Sequence, residues 1–356
     1  MKSLFHLTVM ITSVILSACS SPHGSTEPPH PETNAVYYWK TSLALDSAEV
    51  TFIGSHDVGR IYLRMFDVSA DRTGHTPSEK AIPNATVRVD FQTSYLLQNA
   101  FSVKEFVPVV YITLDALKAM QGDEDILASN IVTRVRNMVE YNYLPNVSEL
   151  QLDCDWTAST EASFFTLCNS VRHSLDSLCL PWRLGSTIRL HQLARKAPPV
   201  DNGVLMVYNT GNFNDPDARN SIIDNADIAP YLRHLPSYPL HLDIAYPTYS
   251  WQLLFRDRKF VGLMQGVNLS DTAAFARRDA NLYVARRDIP WRDMIIRAGD
   301  MVRLETSEAA EIFRVKAMIE SRLAGRPHSN ILYHLDTNNL SNYSSDEIDD
   351  FFSTGH

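Results

Sequence analysis

Asp153 and Asp155 stand two residues apart in Glu149-Leu-Gln-Leu-Asp-Cys-Asp-Trp156, a run that reads as a β-strand. Side chains alternate along a strand, so Gln151, Asp153 and Asp155 share one face and Leu150, Leu152 and Cys154 the other. Two carboxylates on one strand face repel each other, and burying them costs free energy unless partners compensate. A third acid, Asp243, occupies the polar face of a later strand. Carboxyl pairs of this kind suit hydrolysis of a glycosidic bond: one group stays protonated to serve the leaving oxygen, the other acts as nucleophile or base. Asp155 is the candidate proton donor, Asp243 the candidate nucleophile or base, Asp153 the third member, and Glu161 a loop candidate. Trp156, Tyr208, Tyr246, Tyr249 and Trp251 stand in or just after strand ends, where flat rings can meet the apolar faces of sugars. Arg64, Arg189, His191 and Asp336 are candidates to orient hydroxyls or tune the acids. Structural pairing of Asp153 or Asp243 with Arg64 or Arg189 is the competing reading.

Eight strand-like runs must position these groups: 35–39, 60–68, 107–114, 149–156, 187–193, 203–209, 239–245 and 330–336. Apolar residues recur at helical spacing in 126–143, 161–180 and 307–323, where Ser307 and Gly325 stand as start and stop signals. Strands alternating with helices imply βα units and a parallel sheet, and eight of them imply a closed (β/α)8 TIM-type barrel. An open doubly wound sheet would show near-continuous apolar strands. These strands alternate instead, with His241 and Asp243 opposing Leu240, Leu242 and Ile244, and with His334 and Asp336 opposing Tyr333 and Leu335. The expectation is a single α/β domain over 35–345 with a polar lumen and a short tail over 346–356. Two insertions interrupt it: 71–99, with a strand-like run at 85–91, and 262–303, rich in arginine and aromatic residues.

The formal charge is −9, with acids and bases interspersed and no basic stripe, which argues against a nucleic-acid partner. Cys168 and Cys179 sit on one apparent helix about three turns, roughly 16 Å, apart, too far for a disulfide. They and Cys154 read as small buried hydrophobes. His191, His241 and His334 fall on polar strand faces beside acids. No H-x-H or H-E-x-x-H spacing joins them, so no metal site is expected. No nucleophile elbow and no glycine-rich phosphate loop occur, so no cofactor is expected.

At the N-terminus, Lys2 precedes a short apolar run over 4–16, and Leu16-Ser-Ala-Cys19 resembles the lipobox of bacterial lipoproteins. That resemblance implies a signal peptide over 1–18, lipidation of Cys19, and a flexible Pro/Ser/His-rich tether over 19–34. It also implies a membrane partner through the lipid, on the envelope side of a bacterial membrane. The AVYYWK strand, the acidic strand, Ser186-Thr-Ile-Arg-Leu-His-Gln192, Val207-Tyr-Asn-Thr-Gly-Asn212 and Leu242-Asp-Ile-Ala-Tyr-Pro247 come in an order similar to that of an uncharacterised bacterial family grouped with glycoside-hydrolase TIM barrels. The Asp153-x-Asp155 strand also resembles the acidic strand of chitinase-like barrels, whose run ends in a general-acid glutamate. Thr157 stands at that position here. The resemblance implies a carbohydrate substrate or ligand. Two functions stay open: acid/base hydrolysis by a different pair of acids, or glycan binding by a barrel that has lost the acid.

The lipobox generates a direct test. Cys19→Ser should release the chain from the membrane fraction or block its processing. A wild type that fractionates as soluble, with no lipid found by mass spectrometry, overturns the anchor.

Overall fold

The computed structural model describes residues 30–72, 80–99, 103–292 and 294–355. Cys19, the signal segment and most of the tether lie outside the described residues. Eight parallel strands close into a barrel: β1 (Asn34–Tyr38), β2 (Val58–Ala70), β3 (Glu105–Ile112), β4 (Glu149–Asp153), β5 (Arg183–Arg189), β6 (Asn202–Met206), β7 (Leu242–Pro247) and β8 (Asn330–Tyr333). Each pairs with its sequence neighbour, and β1 closes the ring against both β2 and β8, with Val36 opposite Ile61 and Leu332. All eight strand-like runs of the sequence are present. This is the (β/α)8 architecture that alternation predicts.

The outward faces meet amphipathic helices. On α1 (Glu124–Tyr141), Leu127, Ile131 and Val135 are buried; on α2 (Glu161–Ser177), Phe164, Leu167, Cys168, Val171 and Leu175; on α3 (Ala309–Leu323), Ile312, Val315, Ile319 and Leu323. Their spacing of three and four residues forms one stripe per helix, which packs against the strands. Residues 346–352, expected in a tail, instead belong to α4 (Ser345–Phe352). It begins with a Ser344/Glu347 capping box and buries Ile348, Phe351 and Phe352, while Asn330 donates to its last carbonyls. Residues 85–91 are not one strand. Ala81–Asn84 runs antiparallel to β2, and Phe91 opens a helix over Phe91–Asn99. Cys179, expected in the core, is exposed.

The second insertion is larger than expected. From Ser250 to Thr306 the chain builds a five-stranded antiparallel sheet with its own core of Leu254, Met264, Phe275, Ile296 and Val302. It follows β7 directly, so it rises from the C-terminal mouth of the barrel.

The lumen is filled in layers. At the N-terminal floor lie Arg60, Glu105, Glu149, Arg183, Asn202 and Asp243. A Cβ on Gly185 would collide with the Glu149 carboxylate, so glycine leaves room for that acid inside the barrel. Above the floor, the Tyr37 ring stacks on Tyr62 with centroids 4.7 Å apart, and its hydroxyl donates to Gln151 at 2.7 Å. Tyr333 and Tyr208 continue the aromatic plug toward the mouth.

Burial pushes the Glu149 carboxyl up to about 7. The folded chain then keeps a proton that the unfolded chain releases near pH 4.5. Its contribution is full below pH 4.5 and is lost as pH rises through 7. Glu149→Gln should therefore flatten the decline in stability between pH 4.5 and 8, by roughly 3 kcal/mol at most relative to wild type. Urea denaturation across that range checks it, and parallel curves for the two proteins would refute it.

Candidate functional site

Asp153 ends β4 and is buried; Asp155 lies two residues on, where the chain opens to solvent, and its side chain is 45 % exposed. Arg189, the last residue of β5, lies between them. Its Nη2 donates to Asp153 Oδ1 at 3.0 Å and its Nε to Asp155 Oδ1. Thr187, two residues earlier on the same face of β5, donates to Asp153 at 2.6 Å. Burial raises the Asp153 carboxyl above its ordinary range, opposed by the Arg189 charge. The Arg189 guanidinium also lies 5.9 Å from the centre of the Tyr208 ring, within cation–π reach. Asp155, Arg189, His191, Tyr208, Asn209 and Tyr231 line a cavity of about 240 Å³. His191 sits on a short 3-10 turn after β5, exposed, with Nε2 3.5 Å from the Trp156 carbonyl.

A second cavity, of about 790 Å³, opens between the mouth and the antiparallel sheet, lined among others by Trp39, Lys40, Trp251, Arg292, His334 and Asp336. Trp251 is half-buried, and its Nε1 donates to Glu305 at 2.6 Å. Tyr249 packs edge-on against both Tyr208 and Trp251, which links the two cavities by a row of rings. Lys40 pairs with Asp336 at 3.3 Å, and Arg64 pairs with Asp67 while lying over the Trp39 ring. Among the described residues, each carboxylate named at this mouth is held by a cation: Asp153 and Asp155 by Arg189, Asp67 by Arg64, Asp336 by Lys40, and Glu305 by Arg303.

The structure separates other residues that the sequence grouped here. Asp243 faces the lumen but at the opposite end. It is the second residue of β7, it accepts from the Ser329 N–H at 2.7 Å, and its partners are His30, His241 and Arg60 on the floor. It cannot act with Asp155 on one bond. Trp156 is fully buried behind β4, stacked on Phe164 and edge-on to Phe165 of α2, so it offers no ring to a ligand. Tyr246 is likewise fully buried, on the same outward face of β7 as Leu242 and Ile244. Glu161 opens α2 and lies 3.7 Å from Arg195. Tyr333, assigned to the helix side, packs in the lumen against Tyr37 and Tyr208. Trp39, Lys40 and Asn209 reach the mouth without having been singled out. Trp39 shares its strand parity with Tyr37, and that alternation is the signal that could have found it.

No protein-family model matches this sequence, and no curated protein matches it. Among solved structures, the chain is similar to the Bacillus cereus spore cortex-lytic enzyme SleL, at 13 % identity and a TM-score of 0.49, over 85 % of this chain and 70 % of that one. It is similar to a chitinase from Chromobacterium violaceum at 13 % identity and 0.49, over 90 % and 98 %. A glycoside hydrolase family 18 N-acetylglucosaminidase from Paenibacillus barengoltzii aligns at 12 % identity and 0.44, over 90 % and 100 %. At these values the likeness carries no argument about chemistry, which rests on the side chains themselves.

The Arg189 bridge should be the most costly contact at the mouth to break. Arg189→Ala strands the buried Asp153 carboxylate and should cost about 3–5 kcal/mol at neutral pH. The loss should shrink as pH falls and Asp153 takes a proton, and Arg189→Ala combined with Asp153→Asn should recover part of it. Thermal unfolding of the three proteins at two pH values checks this; a pH-independent loss would refute it.

Proposed function

We propose that the C-terminal mouth of the barrel binds a carbohydrate chain and does not cleave it. The observation that carries this reading is the Arg189 bridge. The one acid that reaches the cavity beside it, Asp155, is tied to a guanidinium that also holds Asp153. A general acid must be protonated and free to give its proton to the leaving oxygen, and a partner carboxyl must face it across the substrate. The partner that the sequence offered to Asp155, Asp243, lies on the floor, and the other acids named at the mouth are themselves held by cations. Thr157, at the position of the missing glutamate, shares a hydrogen bond with Ser159, and an alcohol does not serve as a general acid at neutral pH.

Binding is well provided for. Half-buried rings of Trp39 and Trp251 beside Lys40, Asp336 and Arg292 offer flat apolar surface next to donors and acceptors, the combination that sugar rings present in complement. In this reading the protein is held at a bacterial envelope by lipid on Cys19, with the mouth reaching a glycan. The anchor rests on the lipobox and the ligand on the mouth.

A glycan array on the wild type, followed by product analysis of each hit, tests the proposal. Bound glycans should be recovered intact. Trp251→Ala should weaken binding by roughly tenfold, as expected for loss of a central aromatic anchor, while Asp155→Asn changes it little. Shortened products from the wild type that disappear in Asp155→Asn would replace this reading with hydrolysis.

A further inference from the structure

The floor of the barrel gathers His30, His241 and Asp243, all buried, with one ligand-type atom from each lying within 4.8 Å of the others. His241 stands one residue before β7 and Asp243 is its second residue, and period-two spacing puts the two on one side of the chain. His30 comes from the entering segment, four residues before β1, in the stretch the sequence assigned to a flexible tether. Its side chain is nonetheless almost wholly buried, with Nε2 3.4 Å from Asp243 Oδ2. His241 Nε2 lies 3.2 Å from Asp243 Oδ1.

We propose that these three side chains form a divalent-metal site, of the zinc class, that fastens the N-terminal segment to the underside of the barrel. Two imidazoles and one carboxylate are a donor set that suits zinc, with a water completing four-coordination. Bonds of about 2.0–2.1 Å in a tetrahedron place ligand atoms roughly 3.3 Å apart. The two imidazoles lie 3.4 Å from Oδ2 and 3.2 Å from Oδ1 of the one carboxylate, near that spacing, and the three ligand atoms lie within 4.8 Å of one another, so an inward movement of the imidazoles would close the site on one oxygen.

The surroundings fit as well. His30 Nδ1 lies 3.4 Å from the Pro31 carbonyl, and a proton on Nδ1 leaves the Nε2 lone pair for a metal. The Ser329 N–H holds Asp243 Oδ1 in place. Buried polar atoms are nearly always satisfied, yet His30 Nε2 and Asp243 Oδ2 have no hydrogen-bond partner among the described residues. Arg60 Nη1, 3.7 Å from Asp243 Oδ2, is the cation that competes for the carboxylate. Its charge is met by Glu105, 2.7 Å from Nε, and Glu149 adds a further carboxyl to the same layer.

The test uses the full chain without a polyhistidine tag, stripped with a chelator and titrated with Zn²⁺ and with Co²⁺. One metal per chain should survive desalting, Co²⁺ should give the visible bands of a tetrahedral site, and Zn²⁺ should raise the melting temperature. His30→Ala lies outside the barrel strands, so its fold can be confirmed by circular dichroism. It should lose at least tenfold in metal affinity, while His173→Ala, at an exposed helix position, should lose none. Absence of bound metal at micromolar Zn²⁺, or equal affinity in wild type and His30→Ala, overturns the proposal. Octahedral Co²⁺ spectra that persist in His30→Ala would mean adventitious surface binding and would overturn it equally.

Discussion

The barrel depends on keeping carboxylates neutralised inside a narrow lumen. An unpaired buried carboxylate costs several kcal/mol, a large fraction of a domain's net stability of about 5–15 kcal/mol. This chain places acids on inward faces at both ends of the barrel and answers each set with arginine. At the mouth, Arg189 serves Asp153 and Asp155 together; at the floor, Arg60 and Arg183 share Glu105. Between the two ionic layers, stacked tyrosines fill the lumen and exclude solvent from the buried ion pairs. The glycine at 185 belongs to the same constraint, because only a residue without a side chain leaves Glu149 its place.

That constraint also decides what the mouth can do. Arg189 donates to an oxygen of each acid, Asp153 and Asp155, so neither carboxyl is free to serve a leaving oxygen while the bridge holds. The arrangement that makes the fold affordable is therefore the one that argues against hydrolysis. What the cavities leave open is the Tyr208 edge beside Asp155 and the half-buried rings of Trp39 and Trp251, with the buried Tyr249 packed between Tyr208 and Trp251, together with donors and acceptors whose charges are already balanced. Balanced pairs at a rim orient a neutral polyol without demanding a charged one.

The sequence disclosed the fold because alternation is a property of every strand. Period two identified the lumen face of β4, β5 and β7 correctly, and the helical stripes gave α1 to α3. Height along the barrel was not legible. Starting the seventh strand at Pro239 made Asp243 its fifth residue and put it near the mouth. The strand starts at Leu242, so the same acid is second, and at about 3.3 Å per residue the difference is roughly 10 Å. Trp156 and Tyr246 were misplaced for a different reason. Their parity matched Leu152 and Ile244, so alternation already put them under the helices. Reading them by nearness to a strand end overrode a stronger signal. Tyr333 failed because β8 has only four strand residues, too few for its pattern to declare a face.

The two ends of the barrel thus have separate duties. Loops after the strands carry aromatic surface and an extra sheet, while the floor's named ion pairs are made among the strand starts and the entering chain. The floor is closed by the arriving chain: His30 and the Pro31 carbonyl, which accepts from Arg60 Nη2 at 3.3 Å, complete the polar layer under β1 and β2. The last residues of a stretch that looks like a loose tether by composition, from His30 on, are packed against the floor, where the Pro31 carbonyl accepts from Arg60. Composition predicts flexibility only for a chain with nothing to bind, and here the binding surface is supplied by Arg60 of the next strand and by His241 and Asp243, more than two hundred residues on.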